Sequence, residues 1–424
     1  MLLFVALIYL IFFQDYIGLV LFDLNFPIFL IKSFIIIKNI LVVVILTKSL
    51  LDISLLKIRK RFSFVLMFMF FYFLIIIIYY SFLSKGSGAA SDLWSLSFPF
   101  ICLSAGYFSL SFNNEIFIKH IQIASFISIT LGLILYFLGH KTLININVFD
   151  YTEHVKGFSG FSYKGLPSTF HSVLGGHEIF RLAASIMNPI ATATLFVFSI
   201  SILCGDEFLS RKRRLSIISS VTIFIGILFT FSRGPILGFF IGLSTALWFW
   251  RSAMPKQFLK ISIPILTIFF IIFYVGILED TVSLEDASSR GHYYALQRAW
   301  EYASQNLLGS GVGSSGHWKG DGGGVVLENS FAMIVGQVGV VALAFLLLAF
   351  GFLFYDFLKY RANSLSIGLF VTFVMLCFNS FFCGALLSVT PLVLFWILVG
   401  RFEGNPNENS DFCFRGVKTN ISAL

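Results

Sequence analysis

Residues 62–82 read FSFVLMFMFFYFLIIIIYYSF, a run without one charged side chain. The hydrocarbon core of a bilayer is spanned by about 20 mostly apolar residues in a helix. Lipid offers the backbone no hydrogen bonds, so such a run must satisfy its own N–H and C=O groups by becoming helical. Comparable runs recur near 2–22, 27–47, 93–112, 121–138, 182–204, 216–232, 235–250, 261–278, 330–354, 364–382 and 384–400. Composition agrees: 58% of the residues are apolar and 12% charged, where a soluble domain carries roughly 25% charged. The expected fold class is all-α, a polytopic integral membrane protein with about twelve transmembrane helices. Secreted, fibrous, disordered and nucleic-acid-binding chains are excluded together. The second run contains Lys32 and Lys38. A lysine at the bilayer centre costs roughly 2.5–3.5 kcal/mol on insertion scales, so that helix is expected to be short, tilted or shielded by neighbours. Asp15, inside the first run, is an intramembrane acid with no partner legible in the sequence.

Basic residues set the orientation. One set of connections holds Lys57, Arg59, Lys60 and Arg61, then Lys119, then Arg211, Lys212, Arg213 and Arg214. It continues with Arg251, Lys256 and Lys260, with Lys359 and Arg361, and with Arg401, Arg415 and Lys418. These alternate with connections poorer in Lys and Arg. By the positive-inside rule the rich set faces the cytoplasm, so both termini are expected inside. Residues 1–402 then form the membrane domain and 403–424 a cytoplasmic tail. The N-terminus lacks a basic region before its apolar run, so no cleavable leader is expected. Cys102, Cys204, Cys377, Cys383 and Cys413 are scattered without metal-ligand spacing, which argues against disulfides and a zinc site.

Two outer connections are long, about 139–181 and about 279–329, and six of the seven histidines fall in them. Long loops on a membrane scaffold are where chemistry concentrates. In the second loop Tyr293, Leu296, Trp300, Ala303 and Leu307 recur at helical spacing, an apolar stripe. Arg290, Tyr294, Gln297, Arg298 and Glu301 fall within about 100° of arc on the other side. The pattern predicts a helix flat on the membrane surface with an arginine-bearing outer face; its plain alternative is a helix whose arginines hold lipid phosphates. The following run LLGSGVGSSGHWKGDGGG reads as a phosphate nest or a flexible linker, with His317 a candidate base. Arg181, Ser185 and Asn188 predict one polar face descending a helix that Pro189 kinks. Arg233 lies in the tight turn FSRGP between two spans. Asn329 is a natural N-cap for the tenth span, Glu328 beside it a candidate general base, and Gly336 with Gly339 predicts close packing.

These pieces, in this order, resemble the O-antigen polymerase and O-antigen ligase superfamily of membrane glycosyltransferases. FRLAASIMNP is similar to the family's arginine, small-residue stretch and Asn-Pro; FSRGPILGFFIGL to its Ser-Arg-Gly turn. SSRGHYYALQRAWEYASQNLLGSGVG and ENSFAMIVGQVGVVAL resemble its arginine, tryptophan and Gly-x-Gly run and its His-Asn helix. The likeness covers roughly 155–350, and Glu328 stands where the ligase pattern has histidine, which favours polymerase.

The resemblance implies a bacterial inner-membrane enzyme that joins undecaprenyl-pyrophosphate-linked oligosaccharide repeats on the periplasmic side. Its implied partners are that donor, membrane lipids and a chain-length regulator protein, with no nucleic acid. The leaving pyrophosphate is already ionised, so it needs cations rather than a general acid. Arg181, Arg233 and Arg290 supply them through always-charged guanidinium groups. Arg298, Asn188 and Asn329 complete the implied binding set. Arg290, Glu328 and His317 are the implied catalytic residues. No acidic metal-binding cluster is legible, so neither cofactor nor metal is expected. Ligase and flippase or transporter are the competing readings. Cysteines introduced at Ser172 and Ser315 are expected to react with a membrane-impermeant maleimide in intact spheroplasts, and protection until lysis overturns the orientation.

Overall fold

The computed structural model describes residues 1–56, 63–84, 86, 88–109, 113–157, 162–174, 177–207, 214–250, 287–316, 325–327, 329–360 and 364–405. These are helical almost throughout. The helices are α1 (Leu2–Asp23), α2 (Ile28–Leu56), α3 (Phe64–Leu83), α4 (Ala89–Phe108), α5 (Asn114–Leu138), α6 (His140–Asn145) and α7 (Val148–His154). They continue as α8 (Pro189–Glu207), α9 (Arg214–Phe229), α10 (Arg233–Trp250), α11 (Ala287–Gln305), α12 (Ser330–Lys359), α13 (Ser364–Ser380) and α14 (Val389–Gly404). Two short antiparallel hairpins lie between α7 and α8: β1 (Ser162–Tyr163) with β2 (Leu166–Pro167), and β3 (His171–Leu174) with β4 (His177–Phe180). A short parallel pair, β5 (Ser315–Gly316) with β6 (Val325–Val326), lies between α11 and α12.

Among the described residues five helices are long and apolar enough to cross a membrane: α1, α2 over 28–54, α3, α5 and α12. On α2 the side chains of Ile36, Ile37, Ile40, Val43 and Val44 are exposed at helical spacing, a stripe that fits lipid rather than water. Eleven of the twelve expected runs overlap helices, the sixth only from Pro189 and the twelfth only from Val389; the ninth, 261–278, lies outside the described residues. The second run forms a long helix of 29 residues rather than a short one, and its Lys38 is shielded at 5% exposure. The tail expected from 403 begins later, because α14 runs to Gly404. Two buried charges prolong it: Arg401 donates to the Ser109 carbonyl at 3.2 Å and Glu403 accepts from Ser63 Oγ at 2.7 Å.

Packing rests on small residues, as membrane interfaces require when apolar burial gives no preference for protein over lipid. At the α4–α14 contact the backbones nearly touch. A Cβ on Gly106 would stand 1.9 Å from the Ile397 carbonyl oxygen, and one on Gly400 would stand 1.9 Å from that of Leu103. A smaller core of Leu19, Ile31, Val148, Tyr151, Phe170 and Met187 seats the connection after α5 on the C-terminal end of α1 and the N-terminal end of α2. That connection is therefore a folded cap, not a bare loop. In the second long connection Ser315 is buried, so exposed Ser304 on α11 replaces it as the labelling position.

Gly106→Ala is expected to destabilise by about 1–3 kcal/mol, the usual scale of overpacking, seen as a lower melting temperature in detergent. Gly351→Ala in α12, where nothing lies within 4 Å of the added carbon, serves as the neutral comparison. Equal stability of the two variants would remove this account of the α4–α14 contact.

Candidate functional site

The segment between β4 and α8 enters the bundle without α-helical hydrogen bonds. Arg181 N donates to the Phe170 carbonyl at 2.8 Å and Leu182 N to the Phe229 carbonyl at 2.9 Å. Ala184–Ile186 makes one 3-10 turn, and Met187 is left-handed at φ 53°. Ser185 hydrogen-bonds the Phe12 carbonyl, midway along α1, and the Ser128 hydroxyl of α5. Asn188 Oδ1 accepts from the Ile190 and Ala191 N–H groups at 3.0 Å each, and Pro189 is the first helical residue. Arg181, Ser185 and Asn188 therefore do not share a helical face. Proline starts this helix where its missing N–H is harmless, and Asn188 caps it instead of reaching for a substrate.

The arginines divide into two groups. Arg181, 9% exposed, donates from Nε to the Thr230 carbonyl at 2.9 Å, and from its two terminal nitrogens to the Thr169 carbonyl at 3.2 Å and Ser232 Oγ at 2.6 Å. It braces the hairpin against the α9–α10 turn. Arg233 is the first residue of α10, half-buried, and near enough for its charge to act on Arg181. Burial first, then the Arg233 charge, holds the Arg181 guanidinium down to about 10, still a cation at neutral pH. Two neighbouring cations in a partly desolvated mouth repel each other, and an anion between them relieves that repulsion. Arg290 and Arg298 are on the exposed side of α11 with Glu301. This helix packs on α12 and buries Ala299 and Ala303. Tyr293, Trp300 and Leu307 of its apolar stripe are exposed, and the small Ala299 and Ala303 are the residues buried.

The Gly-rich run after α11 is neither linker nor nest over its described part. α12 breaks at Gly339, which sits at φ 86°. The run fits into the break: Ser310 N donates to the Gly336 carbonyl at 2.8 Å, Gly311 N to that of Gln337 at 3.0 Å, and Val340 N to that of Leu307 at 2.8 Å. A Cβ on Gly339 would stand 2.8 Å from the Leu308 carbonyl oxygen, so the expected close packing at this glycine is present. Asn329 is 1% exposed; its Oδ1 accepts from Ala332 N at 2.8 Å and its Nδ2 donates to the Phe381 carbonyl at 2.7 Å. It caps α12 and ties it to the end of α13, so its expected place in the binding set is taken by these two bonds. Glu328 and His317 lie outside the described residues.

Two clusters went unread in the sequence. Asp15 Oδ2 pairs with Lys156 Nζ at 2.8 Å, and the same ammonium donates to the Ile186 carbonyl at 3.1 Å. Lys38 donates to Thr390 Oγ1 at 2.9 Å and feels the charges of both Asp15 and Lys156. Asp15 and Lys38 are conspicuous as charges in apolar runs, but nothing local points from Asp15 to Lys156. The second cluster sits on the β3–β4 hairpin. His171 Nδ1 lies 2.9 Å from Glu178 Oε1, while Glu178 Oε2 accepts from Tyr163 Oη at 3.2 Å and from Lys164 Nζ. Burial pushes the His171 imidazole below its ordinary value, outweighing the Glu178 charge, so it is neutral at neutral pH. The Lys164 hydrogen bond holds Glu178 below the usual carboxylate range. Among the described residues no group of three or more His, Cys, Asp or Glu side chains is placed to hold a metal ion.

Asp15→Asn strands Lys156 in the bundle and is expected to cost roughly 3 kcal/mol, the low end for breaking a buried pair because the Lys156 side chain keeps 27% exposure. Adding Lys156→Met should recover most of the loss in thermal melts. An Asp15→Asn protein as stable as the parent would show that the pair does not hold the cap down. No protein-family model matches the chain, and no curated protein matches it.

Proposed function

We propose that this protein is a membrane glycosyltransferase of the O-antigen polymerase kind. It joins undecaprenyl-pyrophosphate-linked oligosaccharide repeats on the periplasmic face of the bacterial inner membrane, with both termini in the cytoplasm. The observation that carries this reading is the Arg181–Arg233 pair at the junction of the hairpin with the α9–α10 turn. Arg181 is already fixed by its neighbours, so a pyrophosphate meets a cation that needs no reorganisation, the condition under which charge stabilisation lowers a barrier most. Arg233, half-buried beside it, adds a second positive charge. Arg290 and Arg298, on exposed α11, suit the donor's flanking phosphate or glycan. Charge neutralisation by arginine leaves no step that demands a metal or cofactor. A chain-length regulator is the natural protein partner, and membrane lipids surround the rest.

A second reading is favoured by a specific observation. The non-helical entry to α8, the break in α12 and the Asp15–Lys156–Lys38 cluster are features that transporters place near their substrates. A flippase for the same lipid-linked oligosaccharide would use them.

Deletion of the gene, read on a lipopolysaccharide gel, separates these readings. A lost polymerase leaves core plus one repeat. A lost ligase leaves bare core with long lipid-linked polymer, and a lost flippase leaves bare core with single lipid-linked repeats. Within the polymerase reading, Arg233→Lys and Arg290→Lys at matched membrane expression test for a bidentate grip, which an ammonium cannot reproduce. Loss of one such contact is expected to lower the rate about a hundred- to thousand-fold. A full-length ladder from either lysine variant removes that arginine from the pyrophosphate site.

A further inference from the structure

Helices α3 and α12 run antiparallel, with Phe64 stacked on Phe352 and Phe71 on Phe345. The end of α3 at Leu83 therefore stands beside the break of α12 at Gly339. The run after α11 is seated at that level. Val340 N donates to the Leu307 carbonyl at 2.8 Å, Tyr79 Oη donates to the Leu308 carbonyl, and Gly311 lies against the Leu83 carbonyl with no room for a side chain. Around this seam Phe82, Leu83, Leu307, Leu308, Val340 and Val341 are all exposed, Phe82 by 80% and Leu308 by 78%. Three segments thus build one apolar patch, the kind of surface that marks an interaction site.

Helix α11 extends the patch. Tyr293 and Trp300 are seven positions apart, so they fall within about 20° of each other around the helix. They occupy the edge between the side packed on α12, with Ala299 and Ala303, and the side bearing Arg290, Gln297 and Glu301. The sequence pattern alone predicts one apolar stripe resting on lipid. In the structure, α12 takes the small residues of that stripe and leaves the aromatic ones outside.

The neighbouring surface says what covers them. Toward their middles α3 and α12, both long and apolar enough to cross a membrane, expose Leu74, Ile78, Leu347 and Leu348. In a spanning helix such side chains face hydrocarbon. The patch continues that face, and it ends at Tyr293 and Trp300, whose rings are apolar and whose tips are polar. Side chains of this kind collect where hydrocarbon gives way to headgroups and water. Continuity with the lipid face favours lipid over a second protein as the occupant.

We propose that α11 is an interfacial helix: Tyr293, Trp300, Leu307 and Leu308 dock at the boundary between the headgroups and acyl chains of one leaflet, while Ala299 and Ala303 fix the helix to α12. The docking does not depend on the enzymatic reading. Joined to that reading, it sets Arg290 and Arg298 at headgroup depth. A donor whose isoprenoid tail lies among the acyl chains carries its pyrophosphate at that same depth.

The test uses the full-length chain with its native cysteines replaced by serine and a nitroxide on one introduced cysteine, in vesicles of phosphatidylcholine and phosphatidylglycerol. Relaxation by oxygen, which concentrates in hydrocarbon, is compared with relaxation by a water-soluble nickel chelate. Labels at Trp300→Cys and Leu308→Cys should respond more to oxygen, as should one at Val44→Cys on the exposed stripe of α2. A label at Gln297→Cys should respond more to nickel. Nickel dominance at both Trp300→Cys and Leu308→Cys means water, and shielding from both reagents means a protein partner or a second copy; either result overturns the proposal. Where the cysteine-free chain does not fold, wild type and Trp300→Phe are compared in lipid brominated near the headgroup end of its acyl chains. The share of emission that Trp300→Phe lacks should be lost to bromine quenching, and an unquenched share overturns the proposal equally. An unchanged polysaccharide ladder in the deletion strain removes the glycosyltransferase reading without altering the labelling result, so the two fail separately.

Discussion

A chain that unwinds among transmembrane helices must find a partner for every backbone N–H and C=O it exposes, because lipid offers none. The stretch from Arg181 to Asn188 is such a place, and the connection between α5 and α8 is arranged around it. Lys156 Nζ reaches the Ile186 carbonyl, Thr192 Oγ1 the Ala183 carbonyl, and Asn188 the first turn of α8. Asp15 then compensates the Lys156 charge from α1, and Tyr151 packs over Gly18, where a Cβ would stand 2.7 Å from its hydroxyl. The folded cap after α5 is thus the solvent that the unwound segment lacks. The same logic explains α12, where the break at Gly339 is filled by the backbone of residues 307–311.

The first of these repairs also fixes what this end of the bundle can present. Because Arg181 is held by three acceptors, it keeps its position and charge without freedom to follow a ligand. Arg233 opens α10 beside it, and His171 lies on the strand whose neighbouring carbonyls bind Arg181. A cation already held in place needs no reorganisation to meet a negative charge.

The architecture was legible because hydropathy and periodicity are local: residues 64–83 could hardly be anything but a helix in lipid, and α11 followed from its alternating faces. Caps were legible for the same reason, as Asn329 and the close approach at Gly339 show. What failed was tertiary. FRLAASIMNP carries no local mark that its first residues are unwound, since Ala and Leu favour helix and only the Asn-Pro pair hints at a start. Ser185 looked like one face of a helix because its true partner, the Phe12 carbonyl, is 173 residues away. The Asp15–Lys156 pair has the same non-local character.

His171 shows why chemistry is harder to read than fold. In the sequence it is one of six histidines in outer connections, and composition does not distinguish them. The hairpin register does, because it sets Glu178 diagonal to His171, with Oε1 2.9 Å from Nδ1. A shift of one residue in that register would turn Glu178 to the opposite face and leave the imidazole beside Ile179 or His177 instead. The chemical identity of the site is therefore set by strand pairing, which in turn is anchored where Arg181 N meets the Phe170 carbonyl. The arginine that braces the unwound segment also fixes the frame in which Glu178 meets His171.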